Sequence, residues 1–279
     1  MAETTAEPSA TRHLESNGFD VAQLRRAFAE DGYVVLRGVV SRAALTKMHR
    51  ALKDEFANWQ RSTESFKGGG LMSGHLNCYP GNLAREVFDE LGQRGVLALA
   101  QQLSPTDPNA TRLGLNFNLP GSHAQHYHMD GLYLENFLIV NVAVVDTDLR
   151  NGAIDVIPKT HKRFYKYWEF ATGRVYRDSK RLCMSAGDVL VRLSTVWHRG
   201  MPNRSEQPRP MLAVTLGEKG VDNPDPFAYR EGRVEFQTNW FNTSRLGRLR
   251  ERTFVTAPFT YSAYRFARSL VGNKGYATF

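Results

Sequence analysis

A mainly β fold, with helices gathered at its N-terminal end, is what the order of hydrophobic patterns predicts for this 279-residue chain. Two observations carry that expectation. Apolar residues recur at helical spacing up to about Leu103, and after Pro105 they give way to short β-like runs separated by turn residues. One such run, Phe137–Val145, is apolar on both faces: Leu138, Val140, Val142 and Val144 alternate with Ile139, Asn141, Ala143 and Val145. That suits a strand buried inside a sandwich. Helices first, then many short strands, point to a β-sandwich or barrel buttressed by N-terminal helices.

The elements follow in order. Residues 1–17 are small and polar at first, without the basic start and apolar core of a signal peptide, and are expected to be a disordered leader. Asp20 is positioned to cap a helix in which Val21, Leu24 and Phe28 share a face and which Gly32 ends. A short strand is expected at Tyr33–Arg37. Ser41 then caps a second helix, with Leu45, Met48, Leu52 and Phe56 on one side, ending before Thr63. The three glycines Gly68–Gly70, followed by Gly74, Pro80 and Gly81, predict a loop reaching Asn82 that could close over a site. A third helical region runs from Leu83 to about Leu103, broken near Gly92–Gly95. Strands are expected at Arg112–Leu119, Phe137–Val145, Ala153–Ile157, Asp188–Leu193 and Met211–Leu216. Residues 18–279 are read as one domain, with its core at 18–217 and a basic extension at 241–279.

Composition narrows the class. A hydrophobic fraction of 42% with 23% charged residues is ordinary for a chain with a real core. No apolar run approaches the length a membrane span needs. Two cysteines, Cys78 and Cys183, make no disulfide framework and lack zinc spacing, which fits a cytoplasmic protein with reduced thiols. Of the net charge of +8, the segment after Phe241 carries +6: seven bases (Arg245, Arg248, Arg250, Arg252, Arg265, Arg268, Lys274) against Glu251. Such a tail attracts anions, or serves as a solvated surface or a contact in a homo-oligomer. No nucleic-acid recognition motif accompanies it, which argues against that partner.

Among the eight histidines one cluster stands out, Gln125-His126-Tyr127-His128-Met129-Asp130-Gly131. On an extended strand residues i and i+2 point the same way, so His128 and Asp130 can offer an imidazole and a carboxylate to one point, with His126 on that side by parity. A histidine from a distant strand would complete a two-histidine, one-carboxylate face, the ligand set that leaves positions open on iron(II). His198 follows the Asp188–Leu193 run, and Arg209, eleven residues on, opens the next apolar run. Antiparallel neighbours joined by that connection would bring His198 and Arg209 close. A buried arginine there requires an anionic partner, which the tail carboxylate of a dicarboxylate supplies.

The H-x-D triplet, the distant histidine and the following arginine resemble the phytanoyl-CoA dioxygenase-like group of Fe(II)/2-oxoglutarate-dependent oxygenases. Asn151-Gly152-Ala153-Ile154-Asp155-Val156-Ile157-Pro158-Lys159-Thr160-His161 is similar to the group's N-G…P-G-S-H stretch, with Lys159-Thr160 in place of glycine and serine. Asp31-Gly32-Tyr33-Val34-Val35-Leu36-Arg37-Gly38 resembles its first strand. The resemblance covers residues 18 to 217. It implies a double-stranded β-helix (a cupin-like jelly roll) with iron held by His128, Asp130 and His198, and 2-oxoglutarate held by Arg209. Asn118, on one face with Asn116, would point toward the keto-acid end of the co-substrate. Asn116 and His126 are the candidate substrate contacts.

The activity implied consumes O2 and 2-oxoglutarate, releases succinate and carbon dioxide, and oxidises a small polar or anionic metabolite. Related halogenases have a small residue where Asp130 stands, so hydroxylation is the default outcome, with desaturation and ring closure open. An acyl-CoA-type hydroxylase and a catalytically silent metal-binding jelly roll are the alternatives. Between Arg163 and Arg181, six aromatic residues alternate with six bases, a composition suited to a polar anion or to a plain flap with solvated charges.

Overall fold

The computed structural model describes residues 18–61, 73–107, 109–222, 225–237 and 245–272. The expected leader and the Gly68–Gly70 break lie outside them. The first helix, α1 (Val21–Asp31), starts where Asp20 accepts a hydrogen bond from the Gln23 amide at 2.8 Å, and ends on Gly32 in the left-handed conformation (φ 81°). A Cβ at Gly32 would lie 2.4 Å from the His161 ring, so only glycine serves there. β1 (Tyr33–Leu36) and α2 (Arg42–Arg61) follow, the latter burying Leu45, Met48, Leu52 and Phe56 as its spacing requires.

β2 (His75–Tyr79) is a strand within the segment expected to be a loop as far as Asn82. Its turn residues, Gly74 and Pro80-Gly81, bound the strand and do not interrupt it, while Leu76 and Cys78 alternate into the core. α3 (Arg85–Gln93) and α4 (Val96–Leu103) form the broken helical region, parted at Gly95 (φ 77°). After them come β3 (Thr111–Asn118), β4 (Leu138–Ala143), β5 (Ile154–Val156), α5 (Tyr167–Thr172), β6 (Lys180–Leu182), β7 (Val189–Leu193), β8 (His198–Arg199), β9 (Arg209–Leu216) and β10 (Glu235–Gln237). Two helices that the sequence reading did not anticipate, α6 (Arg245–Thr256) and α7 (Pro258–Val271), end the described chain. No helix is long and apolar enough to cross a membrane among the described residues.

Seven strands form one antiparallel sheet in the order β1-β7-β4-β9-β3-β2-β10, and β6-β5-β8 form a second. Short antiparallel strands in two sheets with flanking helices make the jelly roll that the resemblance implied. Register sorts the large sheet into two faces. Leu113, Leu115 and Phe117 on β3 sit opposite Val214, Leu212 and Pro210 on β9, and Val214 and Leu212 in turn sit opposite Val140 and Val142 on β4. Cross-strand partners share a face, so this one is apolar, with Phe56 of α2 seated 4.9 Å from the Phe117 ring. The other face carries Arg192, Asn141, Thr215, Asn116 and Arg209, and looks into the molecule. A polar inward face is unusual in so buried a sheet, and it places the site.

Lys159 stands where the resemblance expects glycine, and it keeps glycine's conformation (φ 68°). The turn survives because Thr160 Oγ1 donates to the Ile157 carbonyl (2.7 Å) and accepts from the Trp197 amide (2.9 Å).

Candidate metal centre

His128 and His198, seventy positions apart, lie directly opposite one another. The His128 amide donates to the His198 carbonyl (3.0 Å) and the His198 amide to the His128 carbonyl (2.8 Å). Paired this way, both side chains project from one face, with ring centroids 4.4 Å apart. Their neighbours Tyr127 and Arg199 take the other face, the Arg199 guanidinium 4.1 Å from the Tyr127 ring centre. Asp155 accepts from both, from Arg199 Nε at 3.0 Å and the Tyr127 hydroxyl at 3.3 Å. With that outer face clamped, His128 and Asp130 have the inner one.

The donor set tests itself for a cation. His128 Nδ1 lies 2.8 Å from the His126 carbonyl and His198 Nδ1 lies 3.1 Å from the Val196 carbonyl. A carbonyl can only accept, so each Nδ1 carries the proton and each Nε2 keeps a lone pair. Burial holds both rings below the ordinary histidine range, hence neutral. The two Nε2 atoms face the Asp130 carboxylate at 3.9 and 3.5 Å, and one ligand atom from each residue falls within 4.8 Å of the others. Three electron-pair donors converge with no proton between them. That arrangement repels itself unless a cation sits among them, and two nitrogens plus one oxygen with an open side suit a divalent transition metal.

Arg192, which the sequence reading passed over, fixes the carboxylate. Its Nη2 donates to Asp130 Oδ2 at 2.7 Å and its Nε to Asn141 Oδ1 at 3.1 Å. Burial, the largest single influence, would raise the Asp130 pKa, but the surrounding groups, the Arg192 charge first among them and its hydrogen bond with it, together outweigh burial and hold the carboxyl well below the usual carboxylate range. The signal was present in the sequence: one arginine inside Val189-Leu190-Val191-Arg192-Leu193, where a buried charge demands a partner.

Arg209 lies in the same cavity, about 670 Å³, as His128, Asp130, His198 and Asn116. It is 2% exposed; its Nη2 donates to the Gly152 carbonyl (2.8 Å) while its Nε is buried without a partner. No carboxylate among the described residues pairs with it, and burial pushes its pKa down to about 10. A buried guanidinium without a counter-ion beside a metal-ligand cluster fits one carboxylate of a dicarboxylate co-substrate. Asn118 is the Cα partner of Arg209, but its amide Nδ2 is engaged by the Met201 carbonyl (2.9 Å), and it is not part of the cavity wall. Gly152 explains the tightness, since a Cβ there would lie 2.5 Å from both Asn118 Nδ2 and the Met201 carbonyl.

Parity placed His126 beside His128, and the structure places it elsewhere. The backbone around it is irregular, and its ring rests 4.5 Å from Tyr261 in a second cavity of about 390 Å³ that Tyr127 and Arg199 also line. Burial lowers its pKa to about 4. Tyr167 and Phe170 of the aromatic-and-basic segment belong to an aromatic cluster with Tyr127 and Trp197 there, a packing role. One base of the tail is committed to it too. Arg265 is buried among Tyr167, Trp197 and Tyr261, and donates to the Tyr127 carbonyl at 2.7 Å, one residue from His128. Arg265→Met strands that carbonyl and loosens the backbone that aims His128. Metal affinity is expected to fall about tenfold or more, as when outer partners of metal ligands are lost; equilibrium metal titration checks it, and an unchanged affinity denies the link.

Comparison with known proteins gives the family and the fold. A family model described as phytanoyl-CoA dioxygenase matches residues 28–211. Dioxygenase lolE1 of Epichloe uncinata is 23% identical over 182 residues, which is 62% of this chain and 68% of that protein. Among solved structures, SnoN, described as a non-heme α-ketoglutarate-dependent epimerase from nogalamycin biosynthesis, is 18% identical (TM-score 0.54, 70% of this chain, 80% of that one). AviO1 from Streptomyces viridochromogenes Tue57 is 17% identical (TM-score 0.56, 72% and 96%). SnoK, described as a carbocyclase of the same dependence, is 18% identical (TM-score 0.56, 77% and 96%).

Proposed function

This chain belongs to the phytanoyl-CoA dioxygenase family of Fe(II)/2-oxoglutarate-dependent oxygenases, and from that premise we propose that it oxidises a small polar or anionic metabolite, hydroxylation being the default outcome. In this reading residues 18–279 act as one domain, His128, Asp130 and His198 hold iron(II), and Arg209 grips the tail carboxylate of 2-oxoglutarate. The observation that carries it is the meeting of two proton-less Nε2 atoms, a carboxylate and a buried guanidinium with no counter-ion among the described residues in one cavity.

Iron(II), when bound with 2-oxoglutarate and O2, supplies the oxidising chemistry that couples release of succinate and carbon dioxide to attack on a C–H bond. The chain's own residues set the conditions. The Nδ1 bonds to backbone carbonyls lock both imidazoles in the tautomer that presents Nε2. Arg192 keeps Asp130 ionised and holds one of its oxygens, leaving the other free to turn to the metal. Arg209, shut away from water, gives its charge to the co-substrate undiluted by solvent. Asp130 supplies a protein carboxylate where halide binding would require a vacancy, which favours oxygen insertion.

Two measurements test the reading. Anaerobic Fe(II) and 2-oxoglutarate should together produce a visible absorption band that neither produces alone; its absence would overturn the assignment. Succinate release coupled to loss of a candidate metabolite identifies substrate, and product mass separates added oxygen from the unchanged mass of an epimerised product and from loss of two hydrogens. His126→Ala should leave metal affinity within about twofold, because the ring faces the second cavity; loss of metal there would reassign the ligand set.

A further inference from the structure

The cavity extends well past the metal ligands and Arg209, and its outer half carries its own donors. Register maps the floor. Arg209 lies six residues before Thr215 on β9, roughly 20 Å along the strand. Thr215 is opposite Ile139, and Ile139 is opposite Arg192. The Thr215 end is the open one, for there Arg112, its other Cα partner, is exposed and pairs with Glu218 at 2.6 Å. Arg209 therefore closes one end, and Arg192 lies toward the mouth beyond Asp130.

Arg192 is not satisfied by its two known bonds. Its Nη1 is buried with no partner, although the residue forms part of the cavity wall. Asn141, also on the wall, spends its Oδ1 on Arg192 Nε, so its remaining polar atom is the donor Nδ2. Two side chains of the wall beside the carboxylate ligand thus each carry a donor for which the described residues show no acceptor, next to the apolar surface of Ile139 and Phe137.

Charge points the same way. The ionic side chains of the cavity are Arg112 and Glu218, which cancel, and Asp130, Arg192 and Arg209. A divalent metal and a doubly charged co-substrate offset each other, so one positive charge stays uncompensated. A buried unpaired donor and an unbalanced charge each cost stability unless a ligand answers both.

We propose that Arg192 and Asn141 form the subsite for a carboxylate of the organic substrate, which is therefore a monoanionic carboxylic acid with an apolar skeleton against Ile139 and Phe137. A phosphate, carrying nearly two charges at neutral pH, overshoots the single charge to be met. The proposal rests on the metal and 2-oxoglutarate reading above, and the test separates the two.

The probe is 4-fluorobenzoate, followed by fluorine NMR against the full chain loaded with Zn(II) and saturating 2-oxoglutarate, with neutral 4-fluorobenzamide as control. The carboxylate is expected to bind at least about tenfold more tightly than the amide, the value of one charge-assisted hydrogen bond. Asn141→Asp keeps an acceptor for Arg192 Nε but turns the donor into a repelling carboxylate, and should erase that preference while 2-oxoglutarate affinity holds. Arg192→Lys, which retains the charge for Asp130 and removes Nη1, should weaken it in the same direction. No preference in the unmodified protein, an unchanged preference in Asn141→Asp, or a benzoate that binds only by displacing 2-oxoglutarate would each overturn the subsite. Failure of Zn(II) or 2-oxoglutarate to bind would overturn the parent reading and the subsite with it.

Discussion

Arg209→Met is expected to make the metal-free protein more stable while removing its grip on 2-oxoglutarate, two effects of opposite sign from one substitution. The buried guanidinium has no counter-ion among the described residues, one bond to the Gly152 carbonyl and a partnerless Nε. Without co-substrate that charge is a standing cost, and replacing buried ionic groups by apolar ones of similar volume commonly stabilises by about 1–4 kcal/mol. Stranding the Gly152 carbonyl takes back about 1 kcal/mol. A net gain of about 1–2 kcal/mol corresponds to a rise of roughly 2–8 °C in the melting temperature for a chain of this size.

Binding moves the other way. Removing one member of a buried charge pair costs about 2–5 kcal/mol, so the 2-oxoglutarate dissociation constant should rise roughly thirtyfold to several thousandfold. Calorimetric titration of the Zn(II)-loaded protein and melting curves without ligand measure the two effects separately. A variant that melts earlier and still binds 2-oxoglutarate would show that Arg209 is a structural residue.

How much of this was legible beforehand depends on whether a feature is local. The cap at Asp20, the stop at Gly32 and the apolar face of α2 follow from spacing within one element, and the structure repeats them. His75–Tyr79 was misread because Gly74, Pro80 and Gly81 were weighed as loop formers when they mark the ends of β2. His128 and Asp130 were legible because two residues on an extended segment share a side; the same rule failed for His126, where only the His128–His198 bridge is regular. Asn116 lines the cavity, whereas Asn118 Nδ2 donates to the Met201 carbonyl, a partner 83 residues away that no local pattern announces, and its Oδ1 is buried without a partner. The helices α6 and α7 were read only as a charge run, since five of their seven charged side chains (Arg245, Arg248, Arg250, Arg252 and Arg268) face solvent and only Glu251 and Arg265 are buried. Arg192 and Asn141 were visible as polar exceptions in apolar strands, but their pairing belongs to the register of β4 and β7.

Asp130 shows why that pairing matters. From sequence alone, removing this carboxylate means loss of metal and a fold left largely intact. With Arg192 only 5% exposed and donating to Asp130 Oδ2, Asp130→Ala also leaves a buried guanidinium without its anion. Breaking a buried pair from one side costs about 3–5 kcal/mol; because the Asp130 side chain is 31% exposed and water can reach the vacated space, about 2–3 kcal/mol is expected here. Asp130→Ala should therefore lose turnover and metal affinity and also melt roughly 4–12 °C earlier, measured without metal. The double variant Asp130→Ala/Arg192→Met separates the two consequences. It removes the stranded cation, so most of the stability should return, while metal affinity stays lost because the oxygen ligand is gone. Non-additive recovery of this kind is the signature of direct coupling. If Asp130→Ala melts like the unmodified protein, Arg192 does not depend on Asp130; if the double variant regains metal, Asp130 was never a ligand.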